Sequence, residues 1–245
     1  LAAMGEAREV QAQIINGAPL AYNWDNSAQA EGVDGRAALA QGPVGDLILT
    51  EAQPIAAHVQ WSDTAGLVAR WADAAKAANP EARVWLYETW PSFTPKPDEV
   101  NADLPWRLRI DEEFPLWVEA AGDHARIIPA GQAMALLADE IEADRVPGLT
   151  DIAGVFADDI HLNGRGLYFG AMVQIAALTG RSPEGLPAKL VRVWETREAV
   201  IPEDQATAFL SIAWAAVEGL PGKIAPAGRR ADTTPGPGKT APPAL

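Results

Sequence analysis

Two runs decide the fold: Asp46-Leu47-Ile48-Leu49-Thr50 and Arg83-Val84-Trp85-Leu86-Tyr87-Glu88. Each is short and apolar without strict alternation, the pattern of a strand buried on both faces. Between them, residues 63–78 carry Leu67, Val68, Trp71, Ala74, Ala75 and Ala78 at helical spacing, with Ser62 placed to cap the first turn. A strand, a helix and a second strand of this kind form a parallel crossover. Working outward, residues 10–15 and 126–129 are further strand-like runs that end in polar or Gly/Pro punctuation. Helical patterns cover residues 131–143, 164–178 and 204–218, the second with Asn163 as cap and Gly180 as stop. Residues 101–121 read as partly helical, with Pro115 as an interruption. The pattern predicts an α/β fold whose parallel sheet is covered on both faces. Ligands of such sheets bind beyond the carboxyl ends of the strands.

Composition narrows the function classes. The chain has 245 residues, enough for one sizeable domain, and a net charge of −14 from 33 acids and 19 bases. That balance argues against nucleic acid or an anionic membrane as partner. No run approaches the ~20 apolar residues of a membrane span. Cysteine is absent, which excludes disulfides, zinc–thiolate sites and a thiol nucleophile. Residues 221–245 hold six Pro and four Gly and read as a mobile tail, leaving residues 1–220 as the domain with a charge of about −17. Zero cysteine fits any compartment, with an extracytoplasmic location the expectation.

The strand ends supply the first candidates. After residues 10–15 comes Asn16-Gly17-Ala18-Pro19, where Gly17 permits a left-handed turn and close approach to its amide. Glu51 and Glu88 follow the two central runs and form a conceivable carboxylate pair for glycoside hydrolysis; as alternatives they cap helices. Nine Trp stand against three Tyr and five Phe. Trp24, Trp61 and Trp90 follow strand-like runs and suit stacking on a sugar or aromatic ligand, or closure of the core ends. Trp71, Trp85, Trp194 and Trp214 lie on apolar faces and read as core.

The sharpest constellation is Asp158-Asp159-Ile160-His161-Leu162-Asn163, in a loop that opens a helix. An Asp three residues before a His can accept its Nδ1–H, fixing the tautomer and freeing Nε2 to take a proton from a hydroxyl. That is the orienter-and-base half of a serine triad. A metal site of Asp158, Asp159 and His161, or a purely structural pair, are the alternatives. His58 has no carboxylate nearby in sequence. His124 has Asp123 beside it but precedes a strand and falls at the wrong end of the sheet.

This block, followed by Gly166 and Tyr168, resembles the last sequence block of the SGNH (GDSL-like) hydrolases. Residues 13–20, 47–52 and 84–90 are similar to strand-end segments of a bacterial subgroup of that superfamily, so the resemblance spans residues 1–220. It implies a flavodoxin-like three-layer α/β/α fold and hydrolysis of carboxylic or acetyl esters through a Ser–His–Asp triad, without cofactor or metal. His161 matches the base, Asp158 its orienter and Gly17 the oxyanion-hole glycine. Where the family offers an Asn as further donor, this chain has Thr50-Glu51. The family's serine follows the first strand in a Gly-Asp-Ser or Gly-x-Ser-Leu motif, which is absent here. The resemblance therefore places the first, central strand and the nucleophile upstream of residue 1, with residues 1–7 as part of the helix behind them. Of the five serines, Ser92 is the best substitute. The resulting expectation is an esterase acting on a small-molecule or carbohydrate ester, with Asn16, Gly17, Glu51, Trp24, Trp61 and Trp90 near the substrate. Its rivals are a non-catalytic glycan- or aromatic-ligand-binding domain on the same fold and a Glu51/Glu88 glycosidase. The oligomeric state is left open.

Overall fold

The structure is a computed structural model and describes residues 1–6, 8–191 and 198–220. The tail expected at 221–245, and Trp194, lie outside these residues. The first elements are β1 (Gln13–Ile14), α1 (Leu20–Asp25), β2 (Glu31–Gly32) and α2 (Gly35–Gln41). They lead into β3 (Asp46–Thr50), α3 (Ile55–Trp61), α4 (Thr64–Ala78), β4 (Arg83–Tyr87), α5 (Trp106–Ala121), β5 (Arg126–Ile128) and α6 (Ala130–Glu142). The chain continues through α7 (Gly164–Thr179), β6 (Lys189–Val191), β7 (Glu198–Val200) and α8 (Glu203–Glu218).

Strands β3, β4 and β5 form a parallel sheet in that order, with Leu47 opposite Val84 and Leu86 opposite Ile127. Alternate side chains leave the sheet on opposite faces, and each face meets its own apolar layer. Leu49, Val84, Leu86 and Ile127 pack with Val68 and Trp71 of α4 and Trp117 of α5. Trp85 and Ile128 pack on the other side with Met134 of α6, Phe169 and Val173 of α7, and Phe209 of α8. The architecture is thus a three-layer α/β/α fold, as the continuous apolar runs require. No helix among the described residues is long and apolar enough to cross a membrane.

Several boundaries differ from expectation for physical reasons. Helix α4 is capped by Asp63, whose carboxylate accepts the Gly66 amide, and not by Ser62. Pro115 does not interrupt α5. It lies on an exposed face, where the carbonyl deprived of its helical partner can turn to water. Residues 2–4 make a single 3₁₀ turn in place of the expected longer helix. Of residues 10–15 only Gln13–Ile14 is strand, and it pairs antiparallel with Glu31–Gly32 outside the parallel sheet. The β6–β7 hairpin was not expected at all.

Strand β3 pairs with β4 on one side and with no described strand on the other. Ile48, opposite Trp85 and therefore on the α7 face, is 41% exposed. A groove of about 2500 Å³ is lined by residues 8–18 and by all five residues of β3. At one end, Arg8 and Arg83 both pair with the Asp46 carboxylate, at 2.7 and 2.6 Å. The other end reaches Glu51, Ala52 and Thr89.

Candidate active site

The loop between Phe156 and Leu162, which form an isolated antiparallel bridge, carries the Asp158–His161 pair. Ala157 donates its amide to the His161 carbonyl at 2.7 Å, closing the loop on itself. Asn163 fastens its exit. The side-chain oxygen accepts the amides of Arg165 and Gly166 at the start of α7, while its amide nitrogen donates to the carbonyls of Gly154 and Phe156. Within the loop, Asp158 Oδ1 accepts the amides of His161 and Ile160 at 2.7 and 2.9 Å. Its Oδ2 lies 2.8 Å from His161 Nδ1. The backbone amides of His161 and Ile160, then the imidazole, hold the Asp158 carboxyl down to about 2. With Nδ1 occupied as donor, Nε2 is the free nitrogen, on a side chain 79% exposed.

A second loop, following β4, supports the first. Trp90 donates its indole N–H to the Ile160 carbonyl, and Phe93 its amide to the Asp159 carbonyl, both at 2.9 Å. Ser92 Oγ donates to Asp159 Oδ2 at 2.5 Å. The pair therefore stands at the carboxyl end of β4, where an α/β crevice is expected. Asp159 turns to Ser92 while Asp158 turns to His161, so the three residues weighed as a metal site do not converge. Among the described residues no His/Cys/Asp/Glu cluster suited to a metal is present.

Asn16 and Gly17 line the groove beside β3, at a turn closed by Ala18 N–H donating to the Ile15 carbonyl at 3.1 Å. Gly17 adopts φ 68°, which accounts for glycine there; space around it is open. Asp158 and His161 do not line this groove; Thr89, which does, lies three residues before the serine that holds Asp159. Glu51 also lines the groove, but its carboxylate faces inward and is buried. It accepts the amides of Leu20 and Ala52 at 2.8 Å and the Thr64 hydroxyl at 3.0 Å. The substrate-binding role expected of Glu51 is thus replaced by a structural one, in which it caps α1 behind Pro19 and ties it to α4. Glu51→Ala leaves two buried donors and one half-buried donor without their acceptor and is expected to cost roughly 2–4 kcal/mol, read from urea unfolding.

Glu88 also serves a helix start. It is fully buried, and its Oε2 accepts the Gln132 amide in the first turn of α6 at 3.1 Å. The Glu51/Glu88 glycosidase reading loses its basis, because neither carboxyl group is open to a substrate. Gly131 lies against the same carboxylate. A Cβ there would stand 2.6 Å from the Thr89 carbonyl oxygen and 2.7 Å from Glu88 Oε1. Gly131→Ala is expected to cost about 1–3 kcal/mol in thermal unfolding, since a backbone oxygen cannot move aside cheaply.

The tryptophans divide. Trp24 packs edge-on against Trp71 at 4.9 Å under the Arg36 guanidinium. Trp90 is buried with Phe156 edge-on at 5.8 Å. Trp61 alone of the three is exposed, at 78%, so they do not form a common platform. His58 lies within α3, and His124 stands at the amino end of β5. None of the five serines hydrogen-bonds His161, and the Ser92 hydroxyl is committed to Asp159.

Sequence reasoning missed the buried charged residues Arg109 and Glu113 of α5, and that Glu88 is buried as they are. Arg109, Glu113 and Glu88 are buried, and Arg109 Nε, Glu113 Oε2 and Glu88 Oε1 have no partner among the described residues. Burial pushes Glu113 up to about 7, against the pull of Arg109, and Glu88 up to about 8. The legible signal was charged residues at i and i+4 (Arg109, Glu113) on the inner face of a helix.

No protein-family model matches the chain, and no curated protein matches its sequence. A crystal structure of a DUF4886 family protein from Bacteroides uniformis shares the fold, with a TM-score of 0.58 and 17% identity over 84% of this chain and 82% of that one. The likeness is one of fold.

Proposed function

We propose that the protein is an SGNH-type ester hydrolase in which His161 is the general base and Asp158 its orienter. The observation that carries this reading is the 2.8 Å contact of Asp158 Oδ2 with His161 Nδ1, on a loop that leaves Nε2 exposed. A carboxylate fixed by two backbone amides and a ring nitrogen is a rigid orienter. It selects the tautomer that accepts a proton on Nε2 and stabilises the imidazolium that follows.

The hydroxyl nucleophile belongs, on this reading, to a strand seated in the groove beside β3. Three features support that placement. Asp46–Thr50 has the composition of an interior strand but pairs with a described strand on one edge only. Val10, Ile14 and Ile48 expose apolar surface to the same groove. A strand parallel to β3 ends at the level of Glu51 and Thr89, on the side of the Trp90–Phe93 loop. A serine there attacks the ester carbonyl carbon, and its proton passes to His161 Nε2. The Asn16–Gly17 turn faces the groove with amides suited to the oxyanion. Collapse of the tetrahedral intermediate expels the alcohol, which takes the proton from His161. Water then repeats the sequence on the acyl-enzyme and releases the acid. The substrate class is a small-molecule or carbohydrate ester, short-chain or acetyl.

The test is turnover of 4-nitrophenyl acetate and an acetylated oligosaccharide by the polypeptide extended with such a strand and serine. Saturable hydrolysis supports the reading; absence of turnover in the folded, extended protein contradicts it.

A further inference from the structure

We propose that Ser92 is a positioning residue, the latch by which the loop after β4 sets the Asp158–His161 pair in place; the assignment rests on the ester-hydrolase reading above. The pair needs outside support. Residues 157, 158, 159 and 161 are all exposed, so water competes for the bonds they make with one another, and those bonds alone fix neither the loop's shape nor where it stands relative to the sheet. A catalytic base displaced by about 1 Å can lose on the order of 10²-fold in rate, so that placement matters to chemistry.

Three bonds cross from the β4 loop to the pair's loop, from Trp90 to the Ile160 carbonyl, from Phe93 to the Asp159 carbonyl and from Ser92 to the Asp159 carboxylate. They grip the two residues between Asp158 and His161. The β4 loop is itself held from behind. The buried Arg109 guanidinium donates to the Ser92 carbonyl, and Trp106 donates its indole N–H to the Pro91 carbonyl at 2.7 Å. The rings of Phe93, Trp106 and Phe156 pack mutually with centroids 4.8–5.9 Å apart, closing the space under both loops. The line of support therefore runs from α5 through Ser92 to Asp159.

The hydroxyl chemistry fits a latch. Serine has a single proton to donate. Asp159 Oδ2 lies at 2.5 Å and the Thr94 carbonyl at 3.3 Å, so the proton belongs to the carboxylate, a charge-assisted bond. The Thr94 amide donates back to the same oxygen at 3.0 Å. Ser92 thus joins both loops through one atom, and this is the work its position does.

The test uses the 245-residue chain itself and needs no turnover. Its three histidines make the imidazole nitrogens assignable by NMR, recorded over a series of pH values. The wild-type protein should show His161 as the Nδ1–H tautomer, with slow exchange of the Ile160 and His161 amides. Ser92→Ala, and Trp90→Phe, which keeps a ring but removes the donor, should each speed those exchanges about tenfold or more and move the His161 nitrogens toward the solution mixture. Ser92→Thr should restore both. Unchanged exchange and nitrogen shifts in both variants overturn the latch alone. A wild-type protein that already shows the solution mixture overturns the ester-hydrolase reading, and the latch with it.

Discussion

Alanine in place of His161 is expected to lower kcat/KM for a short-chain ester about 10⁴-fold or more in the polypeptide bearing the groove strand and its serine. The argument is geometric. No other imidazole is oriented by a carboxylate at the carboxyl ends of the strands, so nothing replaces the lost base. The loss should fall on kcat, because a base acts on the transition state and not on ground-state binding. Thermal stability should change little, since the side chain is 79% exposed. Asp158→Asn should act in the same direction by disturbing the tautomer. The sign of any pH effect from Asp158 follows from its low pKa. Its pairing with His161 is present above the ordinary carboxylate range and is lost only as pH falls through about 2. An acid limb of activity above about pH 3 therefore does not belong to Asp158.

The second large effect is on stability. Glu88 is wholly buried, and burial outweighs the amides of Gln132 and Gly131 to push its carboxyl up to about 8. A carboxyl group with a raised folded pKa favours the fold fully below its unfolded value, near 4.5, and loses that advantage as pH rises through about 8. Unfolding free energy should therefore fall between about pH 5 and pH 8 by roughly 3–5 kcal/mol from this group. Glu113, pushed up to about 7, adds to the same trend over the lower part of that window. Urea titrations across the range measure the slope. Glu88→Gln keeps an acceptor for the Gln132 amide without the charge and should flatten most of it. A wild-type slope of zero would show that the carboxylate is stabilised where it lies.

The parts of the fold that were legible are those with local causes. Strands β3 and β4 announced themselves as unbroken apolar runs, and α7 by Asn163 and Gly180 at its two ends. The Asp158–His161 pair was legible because its bond closes over three residues. Helix capping by Glu51 and Glu88 was one of the two readings; what the sequence could not assign was which distant helix each one serves. Helices α1, α3 and α6 begin behind Pro19, Pro54 and Pro129, which offer no side-chain acceptor. Their first amides are met by Glu51, Gln53 and Glu88, the first and last from 31 and 44 positions away in the chain. A strand-end glutamate thus looks catalytic in the sequence while serving a helix in the fold. The tryptophans stayed between two readings, ligand stacking and closure of the core, for a related reason. Position after a strand does not distinguish a ring facing solvent, such as Trp61, from rings that pack inward, such as Trp24 and Trp90. The antiparallel pairing of β1 with β2 hangs on two residue pairs, too few to leave a pattern.

The central claim is that His161 activates a serine carried on a strand beside β3. It is tested most directly by treating the strand-bearing polypeptide with a fluorophosphonate and mapping the adduct by mass spectrometry. The account predicts one phosphonylated serine, at the carboxyl end of that strand, with labelling abolished in His161→Ala. Labelling that is absent from the folded protein, or that persists at the same rate without His161, would contradict it.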